Sequence, residues 1–305
     1  MSGLIYVGIA SYRDKDLLRT VKNAYKNAVN KDKLYFSIYA QVSEEEVVDL
    51  SFIPPKQLNY MVVPYTEAMG VCYARYIANY SVSPEFDYFL QIDSHSRFAY
   101  GWDVALIDAY EKAKAERWGE RLIFSASASS FEIEWNEDGS DYTDTNFETF
   151  ITSNKPRWDD DEHMFLTEPV DYEGDDLGQE VFYICGGFVF TSGKIMSEVP
   201  YDPYLYHWGE EITLTLRAYT RGITIVAPPI SVVYTNFSRE NSRRSLHWED
   251  SPDKWDALDV SSKVRAAHVL KGIRGLGVYG IDSRLRYEEY QKRAGVDLIN
   301  QNYLT

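Results

Sequence analysis

The sequence predicts an α/β protein, a mixed sheet flanked by helices, and three observations carry that expectation. Short apolar, partly β-branched runs alternate with stretches of helical spacing from the first residues onward. One such run, residues 86–92, stops abruptly in the polar string Asp93-Ser94-His95-Ser96-Arg97. The chain has 305 residues and is 45% hydrophobic, enough for a real core in one large domain or in one domain with an appendage.

Residues 4–10 are an apolar run closed by Ser11-Tyr12-Arg13-Asp14, and residues 16–28 have helix-compatible spacing, so the chain opens as strand, loop, helix. A second strand is expected over 34–41, an acidic break at 44–46, a third strand over 59–64 and a helix over 71–80. The strand at 86–92 matters most, because open α/β sheets bind ligands beyond the carboxyl ends of their strands. A helix over 102–118 and a strand over 122–128 continue the rhythm. Residues 136–176 are rich in Asp, Glu, Thr and Asn, include the acidic run 159–162, and read as a long acidic loop or lid. Residues 181–191 read as a strand interrupted by Gly186-Gly187, as glycines do where a backbone or ligand comes close. A turn-rich segment over 200–211 feeds a helix at 212–220, and the strand at 223–234 is broken by Pro228-Pro229. Helices are expected at 261–273 and 284–294. With no repeat, low-complexity tract or clear linker, the expected organisation is a core over residues 1–235 and a C-terminal extension over 236–305 packed on it.

Charge narrows the partners. With 47 acidic and 31 basic residues the formal charge is −16, a field that repels nucleic acid, anionic lipid and free nucleotide sugars alike. Any polyanion therefore needs a local basic patch or a metal ion. Cys72 and Cys185 allow at most one bridge and suit a reducing compartment. The N-terminal residues carry no secretory signature, and no window approaches the roughly 18 consecutive apolar residues of a membrane span, so a cytoplasmic protein without membrane contact is expected. Oligomeric state leaves no signature.

Three constellations could carry chemistry. Asp93 and His95, two residues apart in a post-strand turn, can face one cation, and carboxylate oxygen with imidazole nitrogen suits Mn2+ or another borderline divalent ion. The plainer alternative makes Asp93 a cap and His95 a loop residue. In Tyr206-His207-Trp208-Gly209-Glu210-Glu211, carboxylates to accept sugar hydroxyls and aromatic faces to cover sugar C–H surfaces precede a helix. Capping by acids in a first helical turn explains the same residues. In Ser11-Tyr12-Arg13-Asp14 a ring could stack on a base and a guanidinium could meet phosphate, or the segment is a turn leading into a helix; Arg75 is a functional cation or a solvated one. His247-Trp248, near Arg243-Arg244, offers a late metal ligand and a phosphate clamp, or is a surface loop, the reading also given to His163 and His268.

Taken in order, these segments resemble the GlcNAc-transferring family that includes cytoplasmic enzymes acting on hydroxyproline of a ubiquitin-ligase subunit. The stretches are Ile9-Ala10-Ser11-Tyr12-Arg13-Asp14, Tyr73-Ala74-Arg75, Leu90-Gln91-Ile92-Asp93-Ser94-His95 with Arg97-Phe98 and Gly101-Trp102-Asp103, Gly186-Gly187-Phe188-Val189-Phe190, Val199-Pro200-Tyr201-Asp202-Pro203, Trp208-Gly209-Glu210-Glu211 and His247-Trp248-Glu249-Asp250. The chain also resembles, more distantly, the mucin-type polypeptide GalNAc-transferases. The resemblance implies a GT-A fold, a UDP-sugar donor, Mn2+ and retention of anomeric configuration. It further implies that Ser11, Tyr12 and Arg13 meet the uridine end, that Arg75, Asp93 and Ser94 complete the nucleotide side, and that Gly186, Gly187, Trp208, Glu210 and Glu211 surround the sugar. Asp93 and His95 would ligate the metal. The chain departs from the pattern at Tyr234-Thr235-Asn236-Phe237, where relatives place a His; Thr235 is no strong ligand, leaving His247 or water for the third position.

The function expected on this basis is retaining transfer of a sugar, GlcNAc foremost, from UDP to an acceptor hydroxyl, with Glu210 and Glu211 orienting sugar or acceptor. The acceptor is a protein hydroxyl or, as a rival, a hydroxymethylated DNA base served by a basic face of Arg243, Arg244 and residues 263–274. A binding module without activity and a metal-dependent phosphohydrolase are the readings from other classes.

Overall fold

The computed structural model describes residues 3–161, 164–273 and 275–304. The chain begins with β1 (Ile5–Tyr12), α1 (Leu17–Asn27), β2 (Leu34–Val42), β3 (Leu58–Pro64), α2 (Val71–Ala78) and β4 (Tyr88–Asp93). The short β5 (Ser96–Phe98), α3 (Trp102–Ala113) and β6 (Leu122–Ser125) follow, then two hairpins, β7 (Ser129–Trp135) with β8 (Tyr142–Glu148) and β9 (Thr152–Asp159) with β10 (Met164–Asp171). After β11 (Gln179–Glu180), β12 (Phe188–Thr191) and α4 (Gly193–Glu198) come α5 (Glu210–Thr220), β13 (Thr224–Ala227) and β14 (Val233–Thr235). The chain ends with α6 (Arg239–Ser242), α7 (His247–Asp250), α8 (Pro252–Leu270), α9 (Arg284–Ala294), β15 (Val296–Asp297) and β16 (Asn302–Tyr303).

An eight-stranded sheet in the order β11-β13-β6-β12-β4-β1-β2-β3 forms the centre. β1 pairs in parallel with β2 on one side and β4 on the other, so the chain leaves it in opposite directions and opens a crevice beyond the ends of β1 and β4. β12 runs antiparallel to both β4 and β6, which makes the sheet mixed as expected. The period of two sorts its side chains: Ile5, Val7, Ile9, Leu90 and Ile92 pack against α1 and α3 through Leu17, Val21, Trp102 and Leu106, while Tyr6, Phe89 and Val189 face Met196, Leu214 and Ala218. Helices cover both faces, so these strands read as nearly continuous apolar runs. A third cluster joins Ile212, Leu216 and Tyr219 of α5 to Ala266 and Leu270 of α8 and to Tyr287 and Tyr290 of α9.

The segment 136–176 is not the irregular loop its composition suggests; it holds β8, β9 and β10. Pro156 lies opposite Thr167 and Pro169 opposite Asn154 in an isolated two-stranded ladder, and prolines at such edge positions hide a strand from pattern reading. Fully buried Arg97 fastens the other hairpin, bonding Asp16 at 2.8 Å and Asp144 of β8 at 2.7 Å. The strand expected over 181–191 forms only at 188–191, and α8 begins nine residues before the expected start, with Pro252 in its first turn. His268 lies exposed on α8 rather than in a loop, and His163 falls outside the described residues.

Candidate active site

Beyond the ends of β1 and β4 lies a cleft of about 390 Å3, lined by Ser11, Tyr12, Arg75, Asp93, Ser94, His95, Gly187, Trp208, Glu210, Glu211 and His247. Gly186 lies behind this lining, against Arg75. Residues expected at the site from six separate stretches of sequence thus share one wall.

The turn after β4 is held by the turn after β1. Asp14, buried, accepts hydrogen bonds from Ser94 Oγ at 2.7 Å, from the Asp16 N–H at 2.9 Å and from His95 Nδ1 at 2.8 Å. Burial opposes its charge, yet these partners, His95 above all, hold its carboxyl down to about 2. A carboxylate at Nδ1 fixes that nitrogen as the donor and leaves Nε2, 3.8 Å from Asp93 Oδ2, as the atom that can meet a ligand. Asp93 is likewise kept below its ordinary range: burial pushes the other way, and His95, Arg75 and Arg244 outweigh it.

Arg75, buried on α2, donates to Asp93 Oδ1 at 2.9 Å and to Glu210 Oε1 in the first turn of α5. Its charge is spent between two carboxylates rather than offered to solvent. The two glycines let this triad close: a Cβ on Gly186 would lie 2.4 Å from Arg75 Nη1, and one on Gly187 would lie 2.9 Å from Asp93 Oδ2. Glu211 accepts the Gly186 N–H at 2.7 Å, but burial and neighbouring Glu210 push its carboxyl up to about 7. One acid of the pair is therefore matched by a cation and the other holds its proton near neutrality.

At the end of the crevice formed by the turn after β1, the expected groups are engaged with the chain itself. Arg13, in the left-handed backbone region at φ 46°, bonds Glu46 at 3.1 Å and Asp250 at 3.0 Å and lies over the Tyr65 ring; it does not line the cleft. Tyr12 OH donates to Asp250 at 2.8 Å. His247 hydrogen-bonds Tyr206 OH through Nδ1 and sits edge-on to Tyr12 and Trp248, and burial pushes its imidazole down to about 4. His247 lines the same cleft as Asp93 and His95, and among the described residues no three His, Cys, Asp or Glu side chains converge as a metal-binding group. Cys72 and Cys185 are unbridged, and Cys72 donates to Glu210 at 3.3 Å.

Pattern reading missed two groups, Asp14 and Gln41. Asp14 was visible only as part of a turn; its role depends on reaching across to His95. Ser11 Oγ, Gln41 Oε1, Thr235 Oγ1 and Asn236 Nδ2 are buried atoms without a hydrogen-bond partner, and all four residues line the cleft. Buried polar groups are nearly always paired, so four such atoms in residues of one cleft are an unusual concentration of unsatisfied polarity. Gln41 gave one usable signal, a polar residue near the carboxyl end of a strand, paired in register with Tyr12.

A sequence model of the family described as Glycosyltransferase (GlcNAc) matches residues 4–53 and 48–298. No curated protein matches in sequence. Among solved structures the chain is similar to GalNAc-T7 crystallised with UDP, GalNAc and Mn2+, at 15% identity and a TM-score of 0.57, covering 98% of this chain and 56% of that one. It is also similar to residues 1–349 of TarS from S. aureus in complex with UDP-GlcNAc, at 12% identity and a TM-score of 0.53, covering 98% of this chain and 72% of that one. At these identities the likeness is one of fold, the GT-A arrangement of a mixed sheet with its flanking helices. The chain spans little more than half the length of GalNAc-T7.

Proposed function

The chain belongs to the GlcNAc glycosyltransferase family, and from that premise we propose that it transfers a sugar, GlcNAc before others, from a UDP donor to an acceptor hydroxyl with retention of configuration. One observation carries the reading. The crevice at the strand-order reversal gathers Asp93, His95, Arg75, Glu210 and Glu211 with buried, unpartnered polar atoms at Ser11 and Gln41.

The residues fit a divalent cation in part: Asp93 Oδ2 and His95 Nε2 present an oxygen and a nitrogen donor 3.8 Å apart, and Asp14 presets the imidazole. A cation bound by that pair would supply charge to offset the departing nucleoside diphosphate. Ser11 and Gln41 would supply hydrogen bonds to the base, with Tyr12 as an aromatic wall. Arg75 fixes Asp93 and Glu210 against each other, so Glu210 presents a rigid acceptor to sugar hydroxyls. Glu211, its carboxyl pushed up to about 7, is shared between its two protonation states near neutrality and can accept from the sugar or donate to it. In retaining transfer the acceptor attacks from the face that UDP leaves, and a phosphate oxygen of the leaving group takes the acceptor proton. No carboxylate of the chain then has to act as nucleophile.

Nothing favours the DNA-base acceptor. Two of the basic residues that would serve it are matched within the chain, Lys263 by Asp259 at 3.1 Å and Arg265 by Asp202 at 2.7 Å, which weakens the supposed basic face. The test is release of UDP from a panel of UDP-sugars with Mn2+, against Asp93→Ala. Release from one sugar that the variant loses is the expected result; no release and no Mn2+-dependent UDP binding overturns the reading.

A further inference from the structure

We propose that the outer face of α1, with the turns that flank it, is a contact surface for an anionic lipid bilayer. The inference is independent of the donor reading, since the residues that carry it do not line the cleft.

Residues 15–33 hold six basic and two acidic side chains in a chain whose formal charge is −16, so basic charge is concentrated in this one stretch. α1 buries Leu17, Val21 and Ala24, which turns Lys22 and Lys26, one helical turn apart, to solvent. Lys31 and Lys33 follow in the turn before β2. Lys56 is brought beside them because Gln57 Nε2 donates to the carbonyls of Lys31 and, at 2.7 Å, Leu34. All five lysines are exposed, and among the described residues none of them forms an ion pair. Arg19, also on α1, is matched by Asp141. The exposed acids of residues 17–33 and 49–57 are Asp32 and Asp49 alone.

Apolar side chains are scattered among these lysines. Phe52 is 36% exposed, with its ring centre 5.8 Å from Lys22 Nζ and 6.1 Å from that of Tyr25, and Lys31 Nζ lies 5.9 Å from the Tyr25 ring. Val29 is 52% exposed in a turn that is held in place, because buried Asp103 accepts the N–H groups of Val29 and Asn30 at 2.9 and 2.8 Å. Tyr100, 82% exposed, is set beside the end of α1 by the Gly101 N–H, which donates to the Asn27 carbonyl at 2.8 Å.

Lysine is a compact point charge that suits many headgroups at once, whereas recognition of single phosphates or of a nucleic-acid backbone draws on the planar fork of arginine, and the arginine of α1 is already matched. A protein partner would meet a contiguous apolar centre ringed by polar groups. Single aromatic and aliphatic side chains set among lysines instead match the boundary between headgroups and acyl chains. The field of the whole chain repels anionic lipid at a distance, but at physiological salt it is screened over about 8 Å, so contact is decided by the local face. Each lysine at an anionic surface tightens binding by about fivefold.

The test is flotation of the full chain with vesicles of phosphatidylcholine alone and of phosphatidylcholine mixed with phosphatidylserine. Binding to the mixed vesicles, weakened by added salt, and none to the neutral ones is the expected result. Replacing two lysines together, Lys26→Gln with Lys31→Gln, weakens that binding by about 25-fold. Val29→Ser with Tyr100→Ser leaves the charge unchanged and weakens it by about tenfold, which a purely electrostatic attraction does not give. Both variants keep the melting temperature of the unaltered chain and its release of UDP from a donor, so the bilayer contact and the donor reading fail separately. The proposal is overturned if the mixed vesicles are not bound, or if either double variant binds them as well as the unaltered chain does. Capture of polyglutamate or duplex DNA through these lysines, with vesicles left unbound, overturns it in favour of a soluble polyanion.

Discussion

Asp14 shows how a residue governs chemistry it does not perform. It holds the imidazole of His95 and the hydroxyl of Ser94, and through them the geometry of the whole Asp93-Ser94-His95 turn. A carboxylate separated from its partner by some eighty positions leaves no mark in a local pattern, whereas Asp93 and His95 announce themselves by ending an apolar strand. Glu210 and Glu211 are equally legible as a pair, but what divides them is not: burial and Glu210 push Glu211 up, while Arg75 bonds only Glu210. That division has a measurable sign. The ordinary glutamate value of 4.5 rises to about 7 at Glu211, so the folded chain holds a proton that the unfolded chain releases. This stabilising contribution is fully present below about pH 4.5 and is lost as pH rises toward about 7. Glu211→Gln should remove that loss, giving a melting temperature that falls less between pH 5 and about pH 8 than that of the unaltered chain. It should also turn over donor more slowly while remaining folded. Equal slopes with pH would show that Glu211 is ionised throughout.

At the level of elements, β1, β2 and β4 are readable because they are apolar on both faces, and α1 because its buried residues form one stripe. The hairpins are not. β8 and β9 are dominated by polar residues, and β9 and β10 contain prolines; their pairing is set by contacts distant in sequence. For β7 and β8 the contact is Arg97, whose guanidinium links Asp144 of the hairpin to Asp16 at the start of α1. Removing one member of a buried ion pair strands the others, at a cost of about 3–5 kcal/mol. Asp144 keeps some solvent contact, so Arg97→Met should cost about 3 kcal/mol in urea unfolding, the low end of that range. A change within 0.5 kcal/mol would mean that the hairpin is held by its aromatic contacts alone.

For the molecule as a whole, the sequence suggested a core followed by an extension, and the packing shows how deeply the two interlock. α8 and α9 bury Ile212, Leu216 and Tyr219 of α5, the helix whose first turn carries Glu210 and Glu211. A chain ending at residue 235 would expose that apolar face, and it should be recovered as aggregate or show no cooperative melt, whereas the full chain should unfold in one transition. A soluble, cooperatively melting fragment would show that the last elements are an independent unit. The reversed direction of β12 has a further consequence, for handling the protein. Its start, after Gly186-Gly187, lies at the rim that bears the cleft, because Phe188 pairs with Ile92; its end, Thr191, pairs with Phe89 and lies at the opposite rim. Lys194, exposed in the first turn of α4 just beyond that end, is therefore an attachment point: a fluorophore or surface tether placed there reports on the chain or immobilises it with the cleft facing away.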